Sequence, residues 1–229
     1  MIYWAALVTY LGYATGGLVL VYEARRRGLA TRGMGLVAAA GFAGGLLAAK
    51  LGHWLLVDPA LWSASPLSLF DPRLGGRTII TGILGGWLAV WATKRHLGIT
   101  RPTGDLWALA LPAGEAVGRF GCLLAGCCYG AECALPWAIW QHGAWRHPTQ
   151  LYAAAWAALT WLVLWRSRGR LPREGDLFRL FLVLFGVGRW LIERHRAHDG
   201  GGSLELGQMG AVAIATLGVL SLWWVRRPR

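Results

Sequence analysis

Seven stretches of mostly apolar residues, each near the length needed to cross a bilayer, follow one another through this 229-residue chain. They run roughly Ile2–Tyr22, Met34–Val57, Thr78–Thr93, Asp105–Cys127, Thr149–Trp165, Asp176–Ile192 and Leu206–Val225. A spanning helix needs about 20 such residues to cross a hydrocarbon layer about 30 Å thick. Lipid offers no hydrogen-bond partners, so each stretch must pair its own backbone groups, and a helix does this. The third stretch is short and is expected to extend back through Gly75 and Gly76. Hydrophobic residues make up 55% of the chain and charged residues only 15%, which places it in the membrane class. The expected fold is an all-α integral membrane protein of about seven transmembrane helices. It forms one transmembrane domain over residues 1–229.

The net charge of +12 is compatible with nucleic-acid binding in amount but not in distribution. Arg25, Arg26, Arg27 and Arg32, then Lys94, Arg95 and Arg101, then Arg166, Arg168, Arg170 and Arg173, then Arg226, Arg227 and Arg229 fall on alternate connections and at the C-terminus. The opposite connections carry only Arg73, Arg77, Arg146, Arg194 and Arg196. Basic residues collect on the cytoplasmic side of membrane proteins. The N-terminus is therefore expected outside and the C-terminus in the cytoplasm, with no nucleic-acid role. The first stretch has no basic residues before it and is read as a retained helix rather than a cleaved signal.

The long connections Asp58–Arg77 and Tyr129–Pro148 contain Pro, Trp and scattered polar residues. They are expected to be interfacial loops or short helices lying on the membrane surface, where Trp is favoured. Glycines recur inside the helices, as at Gly41, Gly44 and Gly45 and at Gly82, Gly85 and Gly86, which predicts close helix packing.

The fourth stretch carries the chemistry. Glu115–Gly130 reads EAVGRFGCLLAGCCYG, apolar enough for a bilayer yet containing Glu115, Arg119, Cys122, Cys127 and Cys128. A charge in a membrane helix costs roughly 3 kcal/mol on insertion scales, so a ligand or partner charge is expected to offset it. In the expected topology, helices four and six both run outward. Arg119 and Arg189 then lie at similar depth near the outer leaflet. Arg119, Cys122 and Gly126 share a helical face with Glu115 a turn before, and Gly186, Arg189, Glu193 and Arg196 follow similar spacing. Two guanidiniums at one depth suit a phosphodiester, because each binds oxyanions through paired N–H groups and stays charged. The same residues also permit local i,i+4 pairs, Glu115–Arg119 and Arg189–Glu193, and the two readings are compatible.

His147-Pro148-Thr149-Gln150-Leu151-Tyr152 opens helix five at the outer surface, with Pro148 at its start. His147, Gln150 and Tyr152 bring polar groups to the mouth of the same region. His53, His142 and His195 are further candidates for a base. Cys122, Cys127, Cys128 and Cys133 have three readings: small packing residues, a redox or nucleophilic thiol activated by Arg119, and a zinc site. A disulfide from Cys133 to Cys122 or Cys127 is a further option in an oxidising compartment.

Four motifs, taken together, resemble the prolipoprotein diacylglyceryl transferase family. Gly118-Arg119-Phe120-Gly121-Cys122-Leu123-Leu124-Ala125-Gly126-Cys127 is similar to that family's Gly-Arg-x-Gly-Asn-x-x-Asn-Gly-Glu. The His147–Tyr152 segment is similar to its His-Pro-Ser/Thr-Gln-Leu-Tyr-Glu, and Gly186-Val187-Gly188-Arg189-Trp190-Leu191-Ile192-Glu193 to its Gly-x-x-Arg-Phe-x-x-Glu. Leu206-Gly207-Gln208-Met209 is like its Met-Gly-Gln, and Ala48-Ala49-Lys50-Leu51 is a weaker match to its Gly-Ala-Arg-Leu. The chain departs from the pattern where Cys122, Ala125 and Cys127 replace Asn, Asn and Glu, and where Ala153 replaces the Glu after Tyr152. Thr81 stands where the family has a helix-three His thought to help deprotonate the thiol.

The resemblance implies a multi-pass protein of the bacterial cytoplasmic (inner) membrane with its site toward the outer leaflet. It implies transfer of a diacylglyceryl group from phosphatidylglycerol to a cysteine thiol of a lipoprotein precursor, with release of glycerol phosphate. Catalytic roles are expected for Arg119, Arg189 and Glu193. Substrate contacts are expected from Gly118, Gly121, Cys122, Gly126, Cys127, His147, Gln150, Tyr152, Thr81 and Lys50, with no cofactor and no metal. Two other functions stay open at this point: a thiol-redox or metal-binding membrane protein on the same fold, and a non-catalytic phospholipid-binding protein.

Overall fold

The structure, a computed structural model, describes residues 2–56, 78–197 and 204–226. Among them are seven helices and one hairpin: α1 Ile2–Arg26, α2 Arg32–Leu56, α3 Ile79–His96, α4 Gly104–Ala125, β1 Ile139–Gln141, β2 Ala144–Arg146, α5 Thr149–Ser167, α6 Asp176–Glu193 and α7 Leu204–Arg226. Every expected span is a helix, and the fold is that of an all-α integral membrane protein. The helices α1, α2, α4 and α7 are long and apolar enough to cross a bilayer by composition alone. The connection Asp58–Arg77, with the expected extension through Gly75 and Gly76, lies outside the described residues.

Helix ends follow local chemistry. The last turn of α3 carries Lys94, Arg95 and His96, which favour the negative end of the helix dipole. The fourth span was expected to run to Cys127, but α4 stops at Ala125. Gly126 turns left-handed (φ +65°) and its amide bonds the Leu123 carbonyl, 3.1 Å away, a termination that glycine adopts without strain.

The chain forms two compact units, one of residues 27–101 and one of residues 1–26 with 102–229. In the first, α2 and α3 meet through small residues, as expected. A Cβ on Gly45 would lie 3.3 Å from the Gly82 carbonyl oxygen, and one on Gly86 3.1 Å from that of Gly41. The Thr78 amide and hydroxyl both donate to the Ala49 carbonyl, at 2.8 and 3.2 Å.

In the second unit α4 packs against α1, α5 and α6, and α7 packs on α6. The α1–α4 approach is close: a Cβ on Gly12 would stand 2.8 Å from the Gly114 carbonyl oxygen. Charged groups tie one end of this unit. Glu23, fully buried, accepts from Arg26 at 2.8 Å and from Arg168 at 2.5 Å. Asp105 accepts from the amides of Gly175 (3.1 Å) and Phe178 (3.2 Å), filling donors that the start of α6 would leave open.

At the opposite end lies Tyr129–Pro148, expected as an interfacial loop or short helices. It is a loop without a helix, and its residues Ile139–Arg146 form an antiparallel hairpin. In Ile139-Trp140-Gln141 and Ala144-Trp145-Arg146 the central Trp is exposed and its neighbours are more buried, and His142-Gly143 turn with φ +50° and +76°, the sign that two-residue hairpin loops require. Trp140 and Trp145 pair across the strands, ring centres 5.6 Å apart. Both are exposed, as is Trp137.

Candidate active site

The helices α4 and α6 both end beneath the hairpin, and each carries an arginine shortly before its end. Arg119 lies six residues before Ala125 and Arg189 four before Glu193, about 9 and 6 Å from their helix ends at 1.5 Å per residue. Both line one narrow cavity, walled by α4, α5 and α6.

The cavity is graded. Its hairpin end holds Arg119, Arg189, Arg196, Cys128 and Thr149. Deeper come Trp156, Ala157, Phe181, Phe185 and Pro112. Phe181 precedes Arg189 by eight residues, so the apolar part extends about 12 Å along α6. The lining therefore has a cationic head and, apart from Thr160, an apolar shaft.

The expected local ion pairs also form. Arg119 donates to Glu115 through Nη2 (2.5 Å) and Nε (3.0 Å). Arg189 donates to Glu193 at 2.6 Å, and Arg196 stands 3.6 Å from the same carboxylate. Among the described residues three guanidiniums, Arg119, Arg189 and Arg196, thus meet the carboxylates of Glu115 and Glu193. Glu193 is buried against α7. A Cβ on Gly207 would come 2.5 Å from its Oε1, so the glycine in Leu206-Gly207-Gln208-Met209 makes room for the acid.

The other expected residues divide. Gly121 belongs to the α1 contact, where a Cβ would stand 2.9 Å from the Ala5 carbonyl oxygen, whereas a Cβ on Gly118 meets nothing within 4 Å. Gln150 is buried and donates to the Cys127 carbonyl (2.8 Å) and to Gln141 Oε1 (3.2 Å). Gly126 lies past the helix end, so it does not continue the face of Arg119 and Cys122. Its carbonyl is 2.6 Å from His142 Nε2. Thr149 Oγ1 donates to the Cys128 carbonyl at 2.7 Å. Three successive carbonyls are thus held by side chains from the hairpin and α5.

His147 and His195 face each other with ring centres 4.8 Å apart. The Tyr152 hydroxyl lies 3.4 Å from His147 Nδ1 and accepts from Trp137 Nε1 at 2.7 Å. Burial, and next the neighbouring His195, hold the His147 imidazole below its usual pKa range. Tyr152 and His195 also line a second groove between α5 and α6, which shares Trp156 and Ile192 with the cavity. Lys50 and Thr81 lie in the other unit. Lys50 is buried with its Nζ 5.7 Å from the Trp54 ring centre, and Thr81 Oγ1 donates to the Thr78 carbonyl at 3.0 Å.

All four cysteines are free thiols. Cys122, Cys127 and Cys128 gather, their sulfur atoms within 4.8 Å of one another. Cys133 is not in that group; its amide bonds the Trp145 carbonyl at 2.9 Å. Sequence reasoning missed Cys128, Thr149 and Trp156 as cavity residues. Arg196 had a signal, its spacing from Glu193. Cys128 had none, because its direction depends on the left-handed turn after α4.

The family model described as prolipoprotein diacylglyceryl transferase matches residues 1–224 of this chain. Three similar proteins carry the name phosphatidylglycerol–prolipoprotein diacylglyceryl transferase. That of Clostridioides difficile (strain 630) is 28% identical over 222 residues, covering 96% of this chain and 87% of that protein. That of Shouchella clausii (strain KSM-K16) is 30% identical over 249 residues, covering 100% and 89%. That of Nitratidesulfovibrio vulgaris (strain DP4) is 32% identical over 195 residues, covering 80% and 73%. With a match that runs almost end to end and a cationic cavity whose shaft is apolar, the chain belongs to the prolipoprotein diacylglyceryl transferase family.

Proposed function

We propose that this chain transfers a diacylglyceryl group from phosphatidylglycerol to the cysteine thiol of a lipoprotein precursor. It works as one transmembrane domain of the bacterial inner membrane, with its N-terminus outside and its site toward the outer leaflet. The observation that carries this reading is the graded cavity, with arginines from two helices at one end and an apolar shaft behind them.

The lipid phosphate lies among Arg119, Arg189 and Arg196, and the diacylglyceryl part follows the shaft. The acceptor thiolate attacks the glyceryl carbon bonded to the phosphate oxygen. A carbon–sulfur bond forms, the carbon–oxygen bond breaks, and glycerol phosphate leaves with the electron pair. The leaving phosphate gains negative charge, which guanidiniums already in place stabilise without reorganising. Glu193 positions Arg189 and Arg196, and Glu115 positions Arg119. The His147–His195 pair beside Tyr152 takes the thiol proton, a task for which a neutral imidazole is suited at neutral pH. Cys122, Cys127 and Gln150 reach the site through Cys128, which lines the cavity: the two thiols gather beside it and Gln150 holds the loop before it. Lys50 and Thr81 act as lipid contacts from α2 and α3.

The test is purified protein in phosphatidylglycerol vesicles with a peptide bearing the acceptor cysteine. The expected product is that peptide with one diacylglyceryl group added, with glycerol phosphate released in equal amount. Hydrolysis of the lipid without peptide modification, or no turnover at all, overturns the assignment.

A further inference from the structure

Three thiols converge at the rim of this cavity. Cys122 is on the last turn of α4, and Cys127 and Cys128 follow the glycine that ends it. Adjacent residues in extended chain point their side chains to opposite sides. Here Cys128 is left-handed (φ +59°), which turns the adjacent pair back toward Cys122. For a residue with a Cβ that conformation costs roughly 1–2 kcal/mol.

The surroundings impose it. The carbonyls of Gly126, Cys127 and Cys128 are held by His142, Gln150 and Thr149. Gly130 then passes so close to His147 and His195 that a Cβ would lie 2.9 Å from the His195 carbonyl oxygen. Three small packing residues need none of this. Side chains outside the group hold the thiol loop in the way that outer-shell residues orient metal ligands.

We propose that Cys122, Cys127 and Cys128 form a three-thiolate site for a thiophilic d¹⁰ cation of the copper(I), zinc and cadmium class. Thiolate sulfur is the soft ligand such ions select. With metal–sulfur bonds near 2.3 Å, a trigonal site sets its sulfurs about 4.0 Å apart, so a group within 4.8 Å needs only slight closure. Three thiolates around a monovalent or divalent cation keep a negative charge. Arg119 and Arg196, which line the same cavity as Cys128, provide the counter-charge. Cys127 is exposed while Cys122 and Cys128 are half-buried, which gives the ion an entry path from solvent. On binding, each thiol proton passes to solvent and no electrons are exchanged.

The site stands on geometry independent of the transferase reading, so its test does not depend on turnover. The reduced, full-length protein in detergent is titrated with cadmium alone and followed by thiolate-to-cadmium charge-transfer absorption. One equivalent is expected to saturate, and X-ray absorption of that complex is expected to show three sulfur neighbours. Cys122→Ser, Cys127→Ser and Cys128→Ser should each weaken binding by more than about 100-fold, beyond the 10–100-fold that outer-shell changes cause. Gln150→Ala should fall inside that lower range, and Cys133→Ser should bind as the unaltered protein does. No saturable absorption, fewer than three sulfurs in the unaltered protein, or equal loss in Cys133→Ser overturns the site. The sulfur count holds even if a serine variant fails to fold.

Discussion

Arg119 and Arg189 each serve two functions at once, as half of an i,i+4 ion pair and as a wall of the cavity. In the proposed reaction, replacing either with Ala removes a donor from the developing phosphate charge, and turnover is expected to fall by about 10²–10³-fold. Arg119→Lys should recover part of that loss, because charge returns without the two-pronged geometry. Activity equal to the unaltered protein in Arg119→Ala, measured in the vesicle assay, excludes the clamp. His147 gives a prediction in pH. Its folded-state pKa is lowered by burial and then by His195, so the folded protein favours the neutral ring. The resulting stability is present above the unfolded value near 6.5 and lost as pH falls through the lower folded value. Melting temperature should therefore drop on the acid side more steeply for the unaltered protein than for His147→Gln, and parallel curves would refute this. The arginines were legible from sequence because a charge in an apolar helix demands a reason. The roles of Thr149 and Gln150 were not, because they bond carbonyls of a loop whose path follows from φ at Gly126 and Cys128.

At the scale of elements, the helices were legible because lipid leaves the backbone few alternatives. The hairpin was not, because its strands have three residues each and read as a Trp-rich interfacial connection. It is held from below by Arg146, buried, which donates to the carbonyls of Gln141 (3.1 Å) and Gly130 (3.4 Å) and to Glu132 (3.2 Å). The glycines of α4 show how similar residues divide by direction. A Cβ on Gly114 would stand 2.8 Å from the Gly12 carbonyl oxygen, whereas one on Gly118 meets nothing within 4 Å. Gly114→Ala should therefore part α1 from α4, at a cost of about 1–3 kcal/mol for overpacking. Gly118→Ala should be neutral or slightly stabilising, since alanine favours helix over glycine by roughly 0.5–1 kcal/mol. Thermal unfolding in detergent separates them, and equal melting of the two variants contradicts the seam. Both Gly118 and Gly121 border α1: a Cβ on Gly121 would strike it, whereas the Gly118 backbone lies 2.8 Å from where a Cβ on Gly12 would stand and only its own Cβ direction is open.

At the scale of the whole molecule, the orientation can be argued from the unit that contains the cavity. One of its ends is tied by Glu23 with Arg26 and Arg168, and by Asp105 with the start of α6. The hairpin and the thiols are at the other end, after α4 and before α5. The basic residues that close helices of this unit fall at the first end: Arg25 and Arg26 end α1, and Arg166, Arg168, Arg170 and Arg173 end and follow α5. If lysine and arginine set the topology, that end is cytoplasmic and the cavity mouth opens outside. Two single-cysteine proteins test this in intact cells with a membrane-impermeant thiol reagent. One keeps only Cys127, which is exposed at the hairpin end. The other has its four cysteines replaced by Ser and carries Arg170→Cys on the exposed connection after α5. The first should be labelled directly and the second only after the cells are permeabilised. The reverse pattern would place the cavity mouth in the cytoplasm, away from acceptor proteins that have crossed the membrane, and would break the link between the charge asymmetry and the proposed reaction.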